Sequence, residues 1–173
     1  KKFEEVNLRF YVKHKDGQKW KRGVVFIKEI VPKSALTYIA NVIYKEHYHT
    51  ASMQHLWYDT KDSQYVDYQW KANNQWQGIS VLAEKNTMKS VSGSEIEFIT
   101  EHYYGYTKHN QKTFEYEVKH PKWNIFPVIS QELKVDFELN YGKHFVCLNE
   151  KKPSSVFLVQ GSDISVENKI RVF

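Results

Sequence analysis

The side chains best suited to chemistry in this chain are histidines and tyrosines, and they fall in two stretches. In the first, His47-Tyr48-His49, two imidazoles share one side of an extended segment, which is the spacing of two metal ligands. His55 has the same parity but lies about 20 Å beyond His49 by strand rise, too far to share an ion. No carboxylate has matching spacing, so no metal is expected. The second stretch runs from Glu101-His102-Tyr103-Tyr104-Gly105-Tyr106 to Tyr116-Glu117-Val118-Lys119-His120-Pro121-Lys122-Trp123. His120 can give or take a proton near neutrality, or simply bond a backbone carbonyl. Lys151-Lys152 would suit imine chemistry only if one lysine were made neutral, and Glu150 and Pro153 mark a polar turn in which water keeps both charged. Cys147 follows Phe145-Val146 and reads as a small packing residue. A glycine-rich phosphate loop and a Gly-x-Ser-x-Gly elbow are both missing, and no cofactor is expected.

A hairpin must position the second stretch. With Lys108 to Lys112 as its turn, Tyr106 faces Phe114, Tyr104 faces Tyr116 and His102 faces Val118, while Glu115, Glu117 and Lys119 alternate into solvent. One face is then an aromatic wall, either filled core or the lining of a ligand cavity. His120 shares the parity of Tyr116 and points inward, Pro121 ends the strand, and Trp123 closes the core. Arg9 is one of only three arginines against 22 lysines, and its planar fork suits a carboxylate. It is expected to point into the cavity and bind Glu101 or the acid group of a ligand. The candidate ligand-binding set is Arg9, Tyr48, His49, Glu101, Tyr104, Tyr106, Tyr116, His120 and Trp123.

The remaining pattern predicts mostly strands. Glu5 to Lys13 alternates, Asp16-Gly17 turns the chain, and Trp20 to Ile30 returns. After Pro32, Ser34 can cap a helix with Leu36, Ile39, Ala40 and Ile43 at the helical period. Ala51–Tyr58, Gln64–Trp70 and Trp76–Glu84 form a meander, Ser94-x-x-Glu97 caps a short second helix, and Glu132–Glu138 and Val156–Val166 are further strands. The expectation is one β-rich α+β domain over residues 1–173, an antiparallel sheet with two short helices.

Length and composition exclude several classes. At 173 residues, with 12 Tyr, 10 Phe and 5 Trp but only 7 Gly and 4 Pro, the chain is globular rather than disordered or fibrous. The single cysteine rules out an intrachain disulfide and fits a reducing cytoplasm. A net charge of +5 is spread over single lysines, and only Lys19, Lys21 and Arg22 cluster, so nucleic acid is not an expected partner. No apolar run is long enough to cross a bilayer and no signal-peptide pattern is present, so no membrane association is expected. The oligomeric state is not legible.

Several segments carry a family resemblance. Phe3 through Val12, Arg22-Gly23-Val24-Val25-Phe26, Tyr44 through Tyr48 with Ala51 and Met53, Phe98 through Thr107, and His120-Pro121-Lys122-Trp123 together resemble the YqjF-like bacterial domains, a domain of unknown function grouped with the acetoacetate decarboxylase-like fold. The resemblance implies a partly open β-barrel. It also implies that the chain lacks sequence usually found ahead of the Glu-x-Asn-x-Arg strand. In the decarboxylases a lysine pair after the helix forms the Schiff base, whereas the comparable stretch here reads His47-Tyr48-His49. The expected function is therefore binding of a small organic, possibly carboxylate-bearing, ligand in the aromatic cavity. The alternatives are an enzyme acting on a small keto or carboxylic acid without a Schiff base, with His120 or His49 as acid or base, and a structural or interaction protein with no ligand.

Overall fold

A computed structural model describes residues 3–173 of the chain. The first hairpin forms where alternation and Asp-Gly place it. Strands β1 (Val6–Asp16) and β2 (Lys19–Val31) pair antiparallel, and Gly17 adopts φ 58° in the turn. A β-bulge between Leu8 and Arg9 interrupts the alternation of faces beside the arginine.

Strand β2 organises the larger sheet. Opposite β1, its other edge is shared by two parallel partners: β7 (Tyr104–His109) at Gly23 and Val24, and β3 (Tyr48–Thr50) at Glu29 to Val31. Val25 to Lys28 pair with neither, because β7 leaves β2 and continues as the partner of β8 (Lys112–Lys119). The far edge of β8 is divided in the same way. There β12 (Ser165–Val166) pairs at Val118 and Lys119, and β13 (Ile170–Arg171) pairs at Phe114 and Glu115. The residues between β12 and β13 therefore form a short strap tethered at both ends.

Helix α1 (Ser34–Val42) follows β2 and packs on β3 and β2. Its Asn41 fixes β3 from both sides, since Tyr48 N–H donates to Asn41 Oδ1 and Asn41 Nδ2 donates to the Tyr48 carbonyl, each at 2.8 Å. Helix α2 (Glu95–Thr100) is capped by Ser94 and Glu97 as predicted, though the carboxylate reaches one residue beyond the N-cap: Glu97 N–H donates to Ser94 Oγ at 3.2 Å, and Gly93 N–H donates to Glu97 Oε2 at 2.8 Å.

The second sheet is the predicted meander plus one strand, in the order β10 (Val128–Lys134), β6 (Gln75–Glu84), β5 (Ser63–Ala72), β4 (Met53–Asp59). A polar network holds helix α3 (Phe137–Tyr141) against it. Trp70, 1% exposed, donates its indole N–H to Asn140 Oδ1 at 2.8 Å, and Asn140 Nδ2 donates to Gln77 Oε1 at 3.3 Å. Lys28 of the first sheet reaches the Asn140 carbonyl and ties the two sheets together. Trp70→Phe removes the donor and leaves a buried amide oxygen unpaired, so its urea midpoint should fall by the equivalent of roughly 1–3 kcal/mol. An unchanged midpoint would show that this bond carries no stability.

The structure corrects several expectations. The strands do not close into a barrel among the described residues, and the larger sheet is mixed rather than antiparallel, because β2 pairs in parallel with both β3 and β7. Three α-helices and a 3-10 helix (Lys143–Leu148) are present where two helices are expected. The expected strand Glu132–Glu138 instead ends at Lys134, since the Asp136 carboxylate accepts from Leu139 N–H at 2.9 Å and starts α3. Ser34 is the first helical residue, and no side chain caps α1. Of the expected strand Val156–Val166, only β11 (Leu158–Val159), paired with β9 (Ile125–Phe126), and β12 are strand.

The β7–β8 hairpin is one residue out of the expected register. Asn110 and Gln111 both take left-handed backbone angles, φ 47° and 62°, which closes a two-residue turn between His109 and Lys112. Tyr106 therefore faces Glu115, and Tyr116 faces Gly105. The single aromatic wall is split, with Tyr104 and Tyr106 on one face and Phe114 and Tyr116 on the other. Glu115, expected in solvent, is 3% exposed, and Lys21 Nζ at 2.7 Å and the Tyr106 hydroxyl at 2.9 Å satisfy its two oxygens.

Candidate functional site

The split edges of β2 and β8 border an open cleft of about 600 Å³. Leu36, Ile39 and Ala40 of α1 form its apolar wall. The strap Val166 to Lys169 forms the opposite wall, held where Lys169 Nζ donates to the Tyr44 carbonyl at 2.7 Å. Glu29, Tyr48, Glu46 and Tyr116 supply the polar lining, and Lys33 lies against the Phe3 ring, its ammonium 4.2 Å from the centroid.

Glu29 dominates the electrostatics. It is 3% exposed, and its Oε2 is buried without a hydrogen-bond partner among the described residues. Burial, together with the carboxylates of Glu5 and Glu46, pushes its pKa up to about 8, so it is mostly protonated at neutral pH; a hydrogen bond from Tyr48 opposes the rise. Burial also raises Glu46, against the pull of Lys169 and a hydrogen bond from Thr107. The Tyr48 and Tyr116 hydroxyls are both pushed far above the usual phenol value, by burial first and then by these carboxylates, and so remain neutral donors. The arrangement can offer protons and hydrogen bonds from a dry floor to a molecule whose body lies against α1.

A family model described as an uncharacterised conserved protein, DUF2071, matches residues 1–163. The chain belongs to the DUF2071 family. No curated protein and no solved structure matches it. The family match ends before the strap, so the wall formed by Val166 to Lys169 in this DUF2071 chain lies outside the matched residues.

Of the nine residues expected at the site, Tyr48 and Tyr116 line this cavity. Tyr104 and Glu101 line a separate cavity of about 440 Å³ with Asp16, Lys21 and Arg22. Glu101 pairs there with Lys122 at 2.9 Å rather than with Arg9. Tyr106 is buried against Glu115. His49, one residue past Tyr48, is exposed; its pKa is lowered by partial burial, then by Lys28 and His47. His120 stacks on Trp123 with centroids 4.2 Å apart, and its Nδ1–H donates to the Pro121 carbonyl at 2.9 Å, a structural arrangement. Trp123 donates to Ser162 Oγ at 2.9 Å. Arg9 is half-buried, with its guanidinium 5.6 Å from the Tyr11 ring centroid, and makes no ion pair among the described residues. Its charge helps hold His102, which is mainly desolvated, down at about 4.

Sequence reasoning missed Glu29, Glu46, Lys33 and Lys169. Only Glu29 left a signal. It interrupts the apolar run Val24-Val25-Phe26-Ile27-Lys28-Glu29-Ile30-Val31, where a carboxylate buried on a central strand calls for an explanation.

Proposed function

We propose that this domain binds a small organic molecule in the cavity between α1 and the C-terminal strap. The observation that carries the reading is Glu29, a carboxyl almost wholly removed from water, with an oxygen unpaired among the described residues, on the lining of a 600 Å³ space. Filled core satisfies its polar groups, whereas ligand sites hold a few convergent ones ready. Tyr48 and Tyr116 orient the polar end of the guest, and Leu36, Ile39 and Ala40 take its apolar body. A carboxylate on the guest would meet Lys33 or Lys169, which line the cavity, rather than Arg9, which does not.

The finer kinship with YqjF-like and acetoacetate decarboxylase-like proteins rests on the quoted segments, and the chemistry of that superfamily does not transfer. Where a decarboxylase lysine is expected, Tyr48 stands beside a protonated Glu29. Incubation with acetoacetate and borohydride should leave the intact mass unchanged, because imine formation needs a desolvated amine at the floor. A stable adduct on one specific lysine would reverse that conclusion.

The binding reading is tested by a fragment screen on isotope-labelled protein. Hits should shift the resonances of Tyr48, Tyr116 and α1, and Leu36→Trp, which crowds the apolar wall, should weaken their binding. If every hit maps elsewhere, or none is found, the cavity is not a binding site.

A further inference from the structure

Resting on the binding reading, we infer that the cavity selects an organic amine, with the ammonium held at Glu29 and the hydrocarbon body laid along α1. Two carboxyls from different parts of the chain line this cavity, Glu29 from β2 and Glu46 from the connection into β3, and the charge of Glu5, from the residues before β1, acts on Glu29 from outside the lining. The neutral hydroxyls of Tyr48 and Tyr116 add acceptor oxygens around the same floor.

Two cations, Lys33 and Lys169, share the cavity wall, but both are engaged away from Glu29. Lys169 acts on Glu46 and is anchored to the Tyr44 carbonyl, Arg9 acts on Glu5, and Lys33 lies over Phe3. No cationic group is among those that act on Glu29. The surplus of acid groups is resolved by holding Glu29 neutral, with Oε2 unpartnered among the described residues. An ammonium resolves it in another way, by exchanging that proton for a charge-assisted hydrogen bond, the strongest contact open to a carboxylate. A neutral alcohol gains only an ordinary hydrogen bond. A carboxylate guest adds a further negative charge to the group and is disfavoured.

This exchange leaves a signature that a merely apolar cavity lacks. Below the raised pKa of Glu29, binding an ammonium displaces about one proton into solution; above it the carboxyl is already ionised and the release vanishes. Glu46, Tyr48, Tyr116, Glu167, Lys33 and Lys169 share the lining with Glu29, Glu5 acts on it from outside the lining, and the two tyrosines stay neutral over this range.

The test is calorimetric titration of the full chain with phenylbutylamine, phenylbutanol and phenylbutyrate, in pairs of buffers with different ionisation enthalpies. The amine should bind at least about tenfold more tightly than the alcohol. It should release close to one proton at pH 6 and almost none at pH 9.5, and the alcohol should release none at either pH. Glu29→Gln should lose both the preference for the amine over the alcohol and the proton release. Equal or tighter binding of the alcohol or the acid, or an amine preference that survives in Glu29→Gln, overturns the amine inference while the cavity remains a binding site. Failure of all three probes to bind overturns both readings.

Discussion

Glu29→Gln should make the folded chain more stable at pH 8 by roughly 3–5 kcal/mol and leave it unchanged near pH 4. The sign follows from the raised carboxyl. In the unfolded chain Glu29 ionises with its ordinary pKa of 4.5, whereas in the folded chain it does so at about 8. Below 4.5 both states are protonated and the residue contributes nothing. Between 4.5 and 8 the unfolded state ionises first, so the folded state loses about 1.4 kcal/mol for each pH unit. Above 8 the penalty is constant. Glutamine does not titrate and keeps a similar shape, so it escapes this loss. Urea titrations of parent and variant at several pH values measure the difference directly. A difference that is flat with pH would mean that Glu29 ionises normally in the fold, and it would remove the physical basis for a dry cavity floor.

Gly105→Ala should destabilise the chain by about 1–3 kcal/mol and weaken ligand binding in the same variant. Gly105 lies opposite Tyr116 in the β7–β8 pairing, and a Cβ there would overlap the Tyr116 ring and its hydroxyl. The ring must move, and since it lines the cavity, the site moves with it. The control is the pair Gly105→Ala with Tyr116→Ala. If the clash is the cause, the second substitution relieves the first, and the double-mutant cycle shows a large favourable coupling. Additive effects would mean that the glycine matters for backbone reasons alone.

Both predictions concern features that only partly show in the sequence. Local chemistry was legible. Asp16-Gly17 marks the first turn, Asn73 and Asn74 adopt the left-handed angles of the meander turn, and Ser94 with Glu97 caps α2, because each of these depends on residues within four positions of one another. The β-rich class and the meander follow equally from period-two alternation. Of the residues that line the cavity, Tyr116 was legible from the aromatic hairpin and Tyr48 only through the family resemblance, as the position comparable to the decarboxylase lysine.

What the tertiary structure decided is register, burial and the company each charge keeps. Gln111 gives no strong sign of a left-handed conformation, yet its φ of 62° shifts β8 by one residue. That shift carries Glu115 inward and sends Tyr116 to the face away from Tyr106, because side chains alternate with an exact period of two. The cavity depends on longer connections still. Its walls come from a helix after β2 and a strap beyond residue 165, joined through Lys169 and Tyr44, which lie 125 positions apart. Sequence alone fixed Glu29 as a carboxylate within an apolar strand. Only assembly removed water from it and set Glu5, Glu46 and Tyr48 around it, and its protonation is a property of those surroundings rather than of its residue type.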